Sequence, residues 1–70
     1  MTCLIPICDN DSIYIMHCEA KNFNDAQDKF ILDLKESYDI EEEYDWSDFI
    51  EFIYEKYGII VGDIYDKEEF

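Results

Sequence analysis

The chain has 70 residues, with nineteen Asp and Glu against five Lys, no Arg and a formal net charge of −14. That balance argues against direct binding to nucleic acid or to anionic membranes, because phosphate contacts need cations. About half of the chain is nonetheless hydrophobic (49%) and it is rich in Phe and Tyr. It is too apolar for a disordered acidic tail, and one small folded domain over residues 1–70 is expected. At this size stability is marginal, since only about 60% of the unfolded surface can be buried.

No charged segment followed by a long apolar run opens the chain, and no stretch approaches membrane-spanning length. Neither a signal peptide nor a membrane span is expected, and a cytoplasmic location in a host cell is. Three cysteines in such a chain read most simply as free thiols acting as small hydrophobes.

In chain order, residues 2–8 are short, apolar and partly β-branched. Asp9, Asn10 and Asp11 form a turn cluster, and residues 12–19 again favour a strand, so the pair predicts a β-hairpin. Pro6 has no N–H to donate, which suits an edge strand. Asn24 is the expected cap of a first helix, with Gln27 three residues on. Phe23, Ala26, Phe30, Ile31, Leu34 and Tyr38 follow at helical spacing, and Leu32 lies among the outward positions. Residues 39–45 form an acidic connection. Asp45 then caps a second helix, with Asp48 at its third position. Trp46, Phe49, Ile50, Ile53, Tyr54 and Tyr57 give the clearest periodicity in the chain. Gly58 falls where a left-handed helix cap is common. Residues 59–65 predict a third strand in which Gly62 marks a bulge or a close backbone approach. Residues 66–70 read as a frayed polar tail.

The order ββααβ predicts an α+β two-layer sandwich, a three-stranded antiparallel sheet covered on one face by two helices. With Pro6 marking an edge, the second strand is expected in the centre and antiparallel to the third. The other sheet face is left open, lined either by Tyr14, Met16 and Cys18 or by Ile13, Ile15 and His17.

Catalytic and metal chemistry find little support. Cys3, Cys8, His17 and Cys18 have the atoms for a zinc site, but neighbours on a strand point to opposite faces, so one ion cannot readily take both His17 and Cys18. A nucleophilic Cys18 needs a nearby cation, and the surroundings are acidic. Asp9, Asn10, Asp11 and Ser12 begin like a calcium loop, yet no central Gly or closing Glu follows. No catalytic residue, metal site or cofactor is expected.

The most informative segment lies between Lys35 and Lys56. It holds nine carboxylates and no basic residue. Asp45 and Asp48 are accounted for by a helix start, where carboxylates meet exposed N–H groups. Glu41, Glu42 and Glu43 read equally well as a solvated loop. Asp48, Glu51 and Glu55, however, share the outer face of the second helix, where like-charge neighbours cost roughly 0.2–0.5 kcal/mol each. Phe52 falls in the same outward sector. A stripe of uncompensated carboxylates with aromatic residues fits an interface with a basic partner.

In size, acidity and absence of catalytic apparatus the chain resembles the small phage-encoded inhibitors of bacterial defence, the anti-CRISPR and antirestriction proteins. The resemblance rests on residues 36–48 with Glu51 and Glu55. It implies an inhibitor that mimics DNA phosphates and enters the basic cleft of a nucleic-acid-processing protein such as a CRISPR effector. The expected partner-binding residues are Glu36, Asp39, Glu41, Glu42, Glu43, Tyr44, Asp45, Asp48, Glu51, Phe52 and Glu55. An immunity protein or antitoxin against a basic nuclease, and a structural or adaptor subunit forming a homodimer through the open sheet face, are the alternatives.

Overall fold

A computed structural model describes residues 1–69. β1 (Thr2–Asp9) and β2 (Ser12–Glu19) form the hairpin, followed by α1 (Phe23–Tyr38), α2 (Trp46–Tyr57), β3 (Ile59–Val61), β4 (Tyr65–Asp66) and a single 3₁₀ turn, Lys67–Glu69. The fold is α+β, an antiparallel sheet with two helices packed against it. Asn10 makes the hairpin turn in the left-handed region at φ 56°, a conformation Asn tolerates better than most residues.

The sheet order is β2-β1-β3, with β4 also on β1. β1 is therefore central, which corrects the expectation drawn from Pro6. β3 is antiparallel to β1, and so runs in the same direction as β2. One of the three connections between β2 and β3 thus fails to reverse the chain, and 39–45 is the longest of them.

The reason Pro6 is tolerated is local. Its carbonyl accepts the Gly62 N–H at 2.8 Å, so its missing donor lies on that same side. There the partner strand leaves the ladder. Ile7 faces Val61 and Leu4 faces Tyr65, so three residues, 62–64, span two on β1. This is a bulge, and it also splits the expected 59–65 strand in two. A Cβ on Gly62 would stand 3.4 Å from the Pro6 ring, which explains glycine at this close approach.

α1 starts two residues earlier than expected. Asn22, not Asn24, is the cap, its Oδ1 accepting the Asp25 N–H at 2.8 Å. Asp25 in turn accepts the Lys21 N–H at 2.9 Å, and that bond holds its carboxyl below the usual carboxylate range. α1 ends at Asp39, whose φ of 55° is a left-handed cap that the sequence reading left in the connection. α2 starts as expected at Asp45, whose Oδ1 accepts the Asp48 N–H at 2.9 Å, and ends at Gly58, φ 71°. Residues 66–69 are no frayed tail: Asp66 pairs with Cys3, and its carboxylate caps the 3₁₀ turn by accepting the Glu68 N–H at 3.0 Å. The rest of that segment, Phe70, lies outside the described residues.

Alternation places Cys3, Ile5 and Ile7 of β1 against the helices. Ile5 and Ile7 join Phe30, Leu34, Phe49, Ile53 and Ile59 in the main core, and Cys3 packs with Ala20 and Ala26 in a second cluster. Phe23 is exposed and Tyr38 half-buried, so the buried stripe of α1 is Ala26, Phe30, Ile31 and Leu34. On α2 the apolar arc is shifted from the expected one. Tyr54 is 56% exposed, while Phe52 is half-buried against the core cluster.

Phe49→Ala should cost about 3–5 kcal/mol, enough to unfold much of so small a domain. Tyr54→Ala should stay within about 0.5 kcal/mol of the parent. Urea midpoints of the two variants check this, and comparable losses would contradict the assigned helix face.

Candidate functional site: an acidic face backed by aromatic rings

Each of the nine carboxylates from Glu36 to Glu55 is exposed. The structure distributes them over three supports. Glu36 and Asp39 come from the end of α1, Glu41, Glu42 and Glu43 from the connection, and Asp45, Asp48, Glu51 and Glu55 from the cap and outer face of α2. At 100° per residue, Asp48, Glu51 and Glu55 fall within about 60° of one another on α2. Four carboxylates from Asp45 to Glu55 span roughly 15 Å of helix, about 5 Å between neighbours.

The lack of a basic residue within the block does not leave every acid uncompensated. Lys35 reaches across from α1 to Glu43 at 3.0 Å, with its own side chain largely buried. Among the described residues Glu43 is the one member of the nine in an ion pair. The other ion pair, Lys29 with Asp25 at 3.4 Å, lies outside the block.

The acidic connection is not a loose loop. Tyr44 stacks on Phe52 with ring centroids 4.8 Å apart and planes 15° from parallel. It also tilts against Phe49 at 6.0 Å. Phe52 continues edge-on to Tyr57 at 6.2 Å, and Tyr57 meets Tyr38 at 4.5 Å. On the other side Phe49 meets Phe30 at 6.4 Å, and Phe30 meets Trp46 at 5.5 Å. Rings from α1, the connection and α2 thus form one continuous row. Such pairs add about 0.5–1.5 kcal/mol each beyond area burial. Phe52, expected to stand outward as an anchor, is instead partly covered, because Tyr44 folds back over it.

The row floors a concavity of about 420 Å³ whose lining includes Asp39, Glu41, Glu42, Tyr44, Phe52 and Lys56. The Lys56 ammonium sits 5.5 Å from the Phe52 centroid and 5.7 Å from that of Tyr57, a cation–π position. The structure therefore brings Asp39, Glu41, Glu42, Tyr44 and Phe52 together. Glu36, Glu43, Asp45, Asp48, Glu51 and Glu55 lie outside this hollow. A larger concavity of about 510 Å³ lies between Phe23, Gln27, Trp46, Ile50 and Gly62, and the sequence did not mark it. Its lining comes from α1, α2 and the bulge, so only the tertiary fold assembles it.

Elsewhere the chemistry is sparse. Cys3, Cys8 and Cys18 are free thiols. Among the described residues no three His, Cys, Asp or Glu side chains are grouped to hold a metal ion, and no helix is long and apolar enough to cross a membrane. No protein-family model, curated protein or solved structure matches the chain.

The Tyr44 hydroxyl donates to Glu42 at 2.8 Å, and this bond raises the phenol above its ordinary value. Ionising the phenol would forfeit the bond and set two anions together. A folded-state pKa above the unfolded one makes the bond's stabilisation complete below about pH 10 and lost as pH rises through the folded value. Glu42→Ala should lower the Tyr44 titration toward about 10, followed through its ring resonances by NMR. An unchanged titration would show that the bond does not form.

Proposed function

We propose that the protein is a small acidic inhibitor that works by occupancy rather than catalysis. In this reading it presents a mimic of the DNA backbone to the basic cleft of a DNA-processing effector, of the anti-CRISPR or antirestriction type. The observation that supports it is the uncompensated acidic face on a rigid frame. Eight of the nine exposed carboxylates have no ion-pair partner among the described residues, and the aromatic row fixes the connection that carries Glu41, Glu42 and Glu43. The spacing along α2, about 5 Å between charges, is of the same order as the roughly 3.4 Å per charge along one DNA strand. Ordering such charges before binding removes much of the entropic cost of ordering them afterwards. A cleft lined with Lys and Arg would be steered toward this face over a distance set by salt.

Mechanistically, Asp48, Glu51 and Glu55 would meet the residues that hold a phosphate backbone. Glu41 and Glu42 would extend the charge track beyond the helix. Tyr44 supplies an aromatic edge within that track, and its hydroxyl pins Glu42 in place.

Affinity capture from host lysate, followed by salt elution, is the direct test. The captured partner should be basic and nucleic-acid-binding, it should dissociate steeply with salt because the Debye length is about 8–10 Å, and DNA or RNA should compete. Glu51→Lys with Glu55→Lys should weaken binding at least tenfold with an unchanged melting temperature. Asp11→Lys, in the hairpin turn beyond the end of α2, should change affinity far less. An acidic partner, or binding indifferent to salt and nucleic acid, would overturn the reading. Equal losses from both changes would show that only total charge matters.

A further inference from the structure

The sheet has a second face, turned away from the helices. Register fixes its members. Cys8 of β1 stands between Ile13 of β2 and Ile60 of β3, and Pro6 stands beside Ile15. Of the two sets left open by the sequence, Ile13, Ile15 and His17 point outward. Ile13 is 81% exposed, Ile15 53% and Ile60 52%. These positions, with Leu4, carry no formal charge in a chain of net charge −14. Single exposed apolar residues are ordinary, but a contiguous apolar sheet face marks a contact surface.

We propose that this face docks against the same face of a second copy of the chain. Three observations select that occupant. First, the centre of the face, Ile13, Ile15 and Ile60, has no charge with which to recognise a basic or acidic partner, Glu19 lying at its far end opposite Thr2, and a flat apolar surface is complementary to itself about a two-fold axis. Second, the acids from Glu36 to Glu55 belong to the helices and their connection, on the other layer. Stacking sheet on sheet, about 10 Å apart, leaves both helix layers outermost and separated by more than the Debye length of about 8 Å. Any contact through the helix layer would press like charges together. Third, the area suits a weak dimer. Eight-residue strands give a length of about 27 Å and three strands a width of about 14 Å, a footprint near 400 Å² per copy. Stable interfaces bury about 800 Å² per partner, so a weak, concentration-dependent dimer is expected. A domain this small, with free thiols and a marginal core, gains most from such an association.

The dimer is independent of what the acidic face binds, and salt separates the two. Higher salt should tighten the dimer, by screening repulsion between two anions, while it weakens an electrostatic partner. Sedimentation equilibrium of the purified full chain, from low to high micromolar, should show monomer passing to dimer. Ile15→Lys and Ile60→Lys should each weaken the dimer at least tenfold with unchanged circular dichroism. Should either lysine variant fail to fold, Ile60→Ser serves in its place. A monomer at every concentration would overturn the proposal. So would a dimer lost in Ile15→Lys but intact in Ile60→Lys, since Ile60 is two strands away from the free edge of β2 and that pattern means edge-to-edge pairing instead. A dimer indifferent to both changes would place the contact elsewhere and overturn it equally.

Discussion

The contact of Tyr44 with Phe49 and Phe52 is the point on which the rest of the structure turns. Phe49 is fully buried beneath the sheet, and Phe52 lies one turn along the same helix. Tyr44 arrives from outside the helix and seals both. Because the residues on either side of Tyr44 are acidic, sealing the core and fixing the charge track are one event. Without that contact the connection between the helices would follow its own repulsion and extend. With it, repulsion among exposed carboxylates is held against a packed aromatic floor, and only Lys35 is drawn in from outside to relieve it.

The parts of the fold that depend on neighbours in sequence were legible. The turn at Asn10, the cap at Asp45, the stop at Gly58 and the core stripe around Phe49 and Ile53 all follow from spacings within a few residues. The sheet order was not, because the penalty for Pro6 depends on what lies opposite it. Here the bulge of residues 62–64 lies opposite Pro6, so its missing N–H costs no ladder bond and β1 can take strands on both edges. The cap of α1 was misplaced at Asn24, and the structure uses Asn22. It was settled by Asp25, which serves as donor to one cap residue and acceptor to the residue before it.

The acidic face was visible as composition but not as shape. Its nine carboxylates are exposed as expected. The pairing of Lys35 with Glu43 and the covering of Phe52 by Tyr44 both join residues eight apart across a loop, beyond the reach of helical periodicity. Tyr54 and Phe52 exchanged roles for the same reason. A helical wheel gives each residue a direction, whereas a ring arriving from a neighbouring segment decides which directions are dry.

The bulge at Gly62 has a consequence for how this chain behaves when crowded. A sheet with two continuous edges can accrete copies strand by strand without limit. Here the edge opposite β2 is broken where residues 62–64 bulge out of the ladder, the Gly62 N–H still bonded to the Pro6 carbonyl. An incoming strand finds a few paired positions, then a gap, then a shifted register. Such an interrupted edge is a poorer template for strand pairing than the continuous edge of β2.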